Sequence, residues 1–118
     1  MRMYFFVMYN LSGIQKGIQA GHAALEYVLK YPDNVTREFI RDHKTFIVLD
    51  GGTSGTMLDR MSELEDLRID YAEFREPDLN NSVSAIAFLV DAADYEDEDV
   101  YGVNPVKQYI KQFRLASN

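Results

Sequence analysis

The stretch IQKGIQAGHAALEY, from Ile14 to Tyr27, with its lead-in Asn10-Leu11-Ser12-Gly13, decides how the chain folds. Ile14, Ile18, Leu25 and Val28 recur at helical spacing, which predicts an amphipathic helix with that stripe packed on the core. Ser12, three positions before Gln15, reads as an N-cap and fixes the start. Gly17 and Gly21 each cost about 1 kcal/mol against alanine in a helix interior, so a close approach to a neighbouring backbone is expected there. Beside the apolar stripe runs a polar one, Gln15, Gln19, His22 and Glu26, whose members stand one above another on a single face. The run Tyr4-Phe5-Phe6-Val7-Met8-Tyr9 ends just before the helix. A strand feeding a helix through so short a turn sets the polar stripe at the strand's carboxyl end, where open α/β sheets bind ligands.

Working outward, residues 3–9 form a strand apolar enough to be buried on both faces. The helix covers residues 13–30 and stops at Tyr31-Pro32-Asp33. Asn34 is expected to cap a short helix over 35–42 with Phe39 and Ile40 turned inward. Residues 44–49 are a second strand, rich in β-branched and aromatic side chains. Asp50-Gly51-Gly52-Thr53-Ser54-Gly55-Thr56 leads into a helix over 56–66. A glycine-rich turn of this kind can cradle a phosphate, but it has neither P-loop nor dinucleotide spacing, and glycines that permit the turn with a Thr or Ser cap explain it as well. Residues 69–75 and 83–90 form an antiparallel pair across the polar turn Glu76-Pro77-Asp78-Leu79-Asn80-Asn81-Ser82. Pro105 at the first position of a helix over 104–114 closes the chain. The order β-α-α-β-α-β-β-α predicts one α/β domain over residues 1–118, a three-layer fold with a mixed four-stranded sheet flanked by helices.

With 118 residues, 47% of them hydrophobic, the chain suits a single globular core. It contains no cysteine, so thiolate metal sites and thiol nucleophiles are out, and two histidines do not make a zinc site. No metal and no cofactor is expected. Neither a membrane-length apolar run nor a signal-peptide plan is present, so a cytoplasmic protein without a membrane partner is expected. The net charge is −7, yet the acidic loop over 91–99 holds six of the acids. It reads as a solvated loop, with a partner-repelling tail as the sharper alternative.

The pieces Gln19-Ala20-Gly21-His22-Ala23, Lys44-Thr45-Phe46-Ile47-Val48-Leu49 and Phe74-Arg75-Glu76 leading to Ser82-Val83-Ser84-Ala85-Ile86-Ala87, in this order of elements, resemble the type-2 peptidyl-tRNA hydrolases over residues 3–90. The resemblance implies that fold, a site made by Gln19 and His22, and a carboxylate after the third strand for which Glu76 or Asp78 stands in. It also implies a hydroxyl supplied by Ser82 or Ser84. Gln15 occupies the place of a family lysine, and Lys16 is one residue, about 100° of helix, out of register.

Ester cleavage needs an activated water and a stabilised oxyanion. Gln19, His22, Glu76 and Asp78 are therefore the catalytic candidates, with Glu76 as base and His22 as proton carrier. Asn10, Ser12, Gln15, Lys16, Arg75, Ser82 and Ser84 are the ligand-binding candidates, and Lys44 and Arg37 are further counter-charges. Tyr4, Tyr9, Tyr71 and Phe74 are available to stack on a base or to fill the core. Because the helix lysine is replaced and the charge is acidic, binding of a nucleotide or other phosphate-bearing ligand without turnover is the expected function, as in a phage-type protein sequestering a nucleotide signal. Active hydrolysis of peptidyl-tRNA is the alternative. The expected partners are a nucleotide-like molecule or a tRNA end, and a second copy in a homodimer.

Overall fold

The computed structural model describes residues 1–96, 102 and 104–117. Its elements run β1 (Arg2–Met8), α1 (Gly13–Lys30), α2 (Asn34–Glu38) continued by a π-helical turn (Phe39–His43), then β2 (Phe46–Gly52) and α3 (Ser54–Asp66). They are followed by β3 (Tyr71–Glu76), a 3-10 turn (Pro77–Leu79), β4 (Ser82–Val90), a 3-10 turn (Ala92–Asp94) and α4 (Pro105–Ile110). The sheet order is β2-β1-β4-β3: β1 pairs parallel with β2 and antiparallel with β4, and β4 pairs antiparallel with β3. This is the mixed four-stranded α/β sheet expected from the order of elements. The last helix is shorter than the sequence suggests, and residues 97–99 of the acidic loop lie outside the described residues.

Alternation along β1 divides the core in two, because successive side chains point to opposite faces. Tyr4, Phe6 and Met8 face a layer built from α3 and α4, where Met57, Leu64 and Tyr109 are buried with Phe88. Met3, Phe5 and Val7 face the layer of α1 and the π-helical turn. Full burial of a residue such as Phe5, Phe6 or Phe88 contributes about 1.5–3 kcal/mol, and all three are wholly enclosed. The face that meets α1 is narrow-chested: Ala72, Ala85 and Ala87 on the sheet lie against Ala20 and Ala23 of the helix. Alanine against alanine brings helix and sheet close and leaves no room for large side chains between them.

That packing overturns the stripe expected to enter the core. The buried residues of α1 are Lys16, Gln19, Ala20, Ala23 and Tyr27, while Ile14 is 79% exposed, Ile18 45% and Leu25 70%. Nor do Gly17 and Gly21 serve a close approach inside the chain, since a methyl group at either would meet nothing within 4 Å. Two further expectations change. Asp33 rather than Asn34 caps α2, its carboxylate accepting from Thr36 N at 2.9 Å. Phe39 is buried as expected, but Ile40 is 41% exposed because the chain winds into a wider turn there.

The glycines after β2 act as backbone. Gly51 lies within the strand against Met57, Phe6 and the Val7 carbonyl, Gly52 has φ +93°, and Thr53 caps α3 by accepting from Thr56 N at 3.3 Å. The outer edge of β2 is covered by residues 114–117. Asp50 N donates to the Arg114 carbonyl at 3.0 Å, Ala116 N donates to the Val48 carbonyl at 2.9 Å, and Leu49 bridges Leu115 antiparallel.

Candidate functional site

The polar stripe of α1 lies along β3. Ser12 begins the helix as expected, its hydroxyl accepting from Gln15 N at 3.2 Å. About two turns later Gln19, 3% exposed, turns into the junction of β3 and β4. Its amide is used at both ends. The carbonyl oxygen accepts from Ser84 Oγ at 2.5 Å, and Nε2 donates to Glu76 Oε2 at 3.4 Å. Ser84 is fully buried, with the Phe74 carbonyl 3.3 Å from the same hydroxyl. A hydroxyl has one proton, and the shorter contact to Gln19 claims it. The long contact to Glu76 is the weaker of the two. Together they hold a carboxylate at the carboxyl end of β3, where the register pairs Glu76 with Ser82.

His22 follows on the same stripe. It is exposed, and its ring lies parallel to Phe74 with centroids 4.5 Å apart and 19° between planes. Phe74 thus orients the imidazole, a role the sequence reading missed because an aromatic in a strand reads first as core. Asp78, by contrast, lies exposed in the Pro77–Leu79 turn, outside the Gln19–Glu76–Ser84 set. Asn10 and Gln15 are exposed at the head of the helix, and the Ser12 hydroxyl is engaged by its capping bond.

Lys16 is brought inward by the same rotation that takes Gln15 out. It is 7% exposed, and Nζ donates to the Ser117 carbonyl of the segment that covers β2. Burial of an ammonium is costly unless it is bonded, and this carbonyl meets the need. It also ties Lys16 to the segment beside β2, whereas Gln19 is bonded to Ser84 of β4 and Glu76 of β3. The candidates expected to share one cleft therefore divide into two groups. No sequence signal marks the pairing of Lys16 with Ser117, which are 101 residues apart.

Two other counter-charges are committed elsewhere. Arg75 pairs with Glu73 at 3.0 Å, and Lys44, held at φ 63°, donates to the Arg41 carbonyl at 3.2 Å. Arg37 is exposed on α2. Of the aromatics offered as stacking surfaces, Tyr4 is buried against Phe88, Tyr71 donates its hydroxyl to Glu65 at 2.5 Å, and Tyr9 alone stands 54% exposed.

No family model matches the chain, and no curated protein matches it either. What the site can do is thus read from its chemistry. Among the described residues it joins a half-buried carboxylate to a buried carboxamide and a buried hydroxyl, with an exposed imidazole on the neighbouring turn of helix and no cation bonded to the set. No helix among the described residues is long and apolar enough to cross a membrane.

Proposed function

We propose that this chain is a peptidyl-tRNA-hydrolase-like enzyme that cleaves the ester between an acyl or peptidyl group and the end of a tRNA. The supporting observation is the Gln19 clamp, a buried amide spent on holding Glu76 and Ser84 in place. Glu76 takes a proton from a water as the water oxygen attacks the ester carbonyl, and the scissile bond to the ribose oxygen then breaks. His22, steadied by Phe74, delivers a proton to that leaving oxygen. No cofactor enters this scheme, and the proposed setting is the cytoplasm.

The sequence by itself leans the other way, toward a nucleotide held without turnover. Gln15, exposed in the place of a family lysine, still favours that second reading. Against it stands the placement of the cations: Lys16 and Arg75 are bonded to other groups, and a phosphate grip draws most of its strength from free positive charge. The deciding experiment is hydrolysis of an N-acetyl-aminoacyl-tRNA by the wild-type chain and by Glu76→Gln. Turnover lost in a folded variant supports the enzyme. Absence of turnover in the folded wild type, with retention of a nucleotide in equilibrium dialysis, would replace it with the binding reading.

A further inference from the structure

At the end of the sheet remote from the Gln19 clamp lies a cavity of about 340 Å³, bounded by the last turn of α1, the head of α2, the turn before β3 and the end of β4. β3 starts there, with Tyr71 opposite Phe88, and reaches the clamp only at Glu76 opposite Ser82. Four aspartates, Asp33, Asp70, Asp91 and Asp94, line this cavity against one cation, Arg68. Asp33 and Asp94 each have one oxygen engaged, by Thr36 N at 2.9 Å and by Asn104 Nδ2 at 2.8 Å. Among the described residues the side chains of Asp70, Asp91 and Arg68 have no hydrogen bond or ion pair, so the acids are not neutralised from within. A cleft lined by one sign of charge concentrates the opposite ion.

The wall adds an independent observation. Tyr27 is 5% exposed and lines the cavity, yet its hydroxyl has no hydrogen-bond partner among the described residues. Buried tyrosine hydroxyls ordinarily have one. Burial, and next the charges of Asp70 and Asp33, raise its pKa, which sets the hydroxyl on the side of those carboxylates. Thr36 Oγ1, enclosed in the same wall, is also without a partner.

We propose that this cavity binds an aliphatic di- or polyamine, its ammonium groups held by the aspartates and one of them donating to the Tyr27 hydroxyl. The arrangement of the acids selects this class. Among the described residues no three of them converge closely enough to hold a metal ion. Carboxylates spread around an opening suit charges spread along one chain, each making a charge-assisted hydrogen bond. Between the acids, Leu67, Ile69 and Leu89 line the cavity and would cover the methylenes that separate those charges. Its volume falls within the range of small-molecule sites. The proposal stands independently of the hydrolase reading, since the cavity and the clamp share no residue.

Calorimetric titration of the full chain with spermidine tests it. Saturable one-to-one binding is expected, with Asp70→Asn and Asp91→Asn each weakening it by about fivefold or more. Tyr27→Phe keeps the ring that packs on Tyr31 and should weaken it by about threefold. Asp59→Asn, which removes an exposed charge of α3 outside the cavity, should leave the affinity within about twofold. Asp70 and Asp91 are exposed, so their variants should fold, as circular dichroism would check. Absence of saturable binding at millimolar spermidine overturns the proposal. So does equal weakening by Asp59→Asn and Asp70→Asn, or displacement of spermidine by magnesium at matched charge, because either marks diffuse attraction. Tighter binding of a lysine-rich peptide through the same aspartates would replace the polyamine with a polypeptide partner.

Discussion

Gln19→Leu is the sharpest probe of the buried clamp. The substitution keeps side-chain bulk but removes both polar ends, so the loss is two hydrogen bonds without a large cavity. The bond from Ser84, at 2.5 Å between residues 3% and 0% exposed, is assigned about 1 kcal/mol net. The 3.4 Å contact to Glu76 is assigned about half that, since it lies near the limit of bonding distance. Ser84 is not orphaned, because its proton can turn to the Phe74 carbonyl at 3.3 Å, and Glu76 is only half-buried and reaches water. Leucine returns about 0.5 kcal/mol through its added apolar area. The net cost is about 1 kcal/mol, which for a domain of this size lowers Tm by about 4 °C.

Gln19→Ala adds the loss of two buried methylenes at about 0.8 kcal/mol each and should cost about 2.5–3 kcal/mol in all. Urea unfolding of both variants, with Ser84→Ala and the double variant, gives a coupling energy of about 1 kcal/mol between the two side chains. Zero coupling, or a leucine variant as damaged as the alanine one, would refute the clamp. If the enzyme reading holds, Gln19→Leu also lowers kcat at least tenfold while changing KM little, since it frees the Glu76 carboxylate without removing it.

Other expectations concern the rest of the fold. Ala116→Pro removes the amide that bonds the Val48 carbonyl and should release residues 114–117 from the β2 edge, costing about 1 kcal/mol. Hydrogen exchange at the Asp50 amide, which donates to Arg114, should then accelerate, and unchanged protection would show that the cover holds without that bond. Gly51→Ala points a methyl group at Met57, Phe6 and the Val7 carbonyl and should cost about 1–3 kcal/mol, measured as a shift in the urea midpoint. Burial and the bond to Glu63 at 2.7 Å raise the Tyr109 hydroxyl above its ordinary pKa of 10.0, and burial raises Tyr27 likewise. Their contribution is thus complete below pH 10 and declines above it, where the unfolded chain releases the protons first. Tyr109→Phe should make the fall of Tm above that pH shallower, and an unchanged slope would refute the linkage.

Much of the architecture is legible in the residues. The apolar β1 run, Ser12 before Gln15, Pro105 at a helix start and the Asn80-Asn81 turn are local signals, each acting through its own backbone geometry, and the structure has each where the sequence puts it. Asn80 and Asn81 take φ 56° and 57°, a region their short polar side chains tolerate. Within the candidate site, Gln19, Glu76 and Ser84 come together as a set. Asp78 does not join it, because the turn after β3 carries it outward.

The orientation of α1 was beyond reach of the sequence. Hydrophobic periodicity says that a helix has an apolar face; it does not say which surface covers that face. The sheet beneath α1 is paved by Ala72, Ala85 and Ala87, residues distant in sequence, and only their assembly shows that the fitting side is Ala20 and Ala23 with Lys16, Gln19 and Tyr27. Lys16 likewise finds its carbonyl on Ser117 only when the end of the described chain crosses the β2 edge. The order of strands and helices is thus written in short-range patterns. Which side of a helix is buried, and where a buried charge is satisfied, depends on contacts between distant segments that no local pattern encodes.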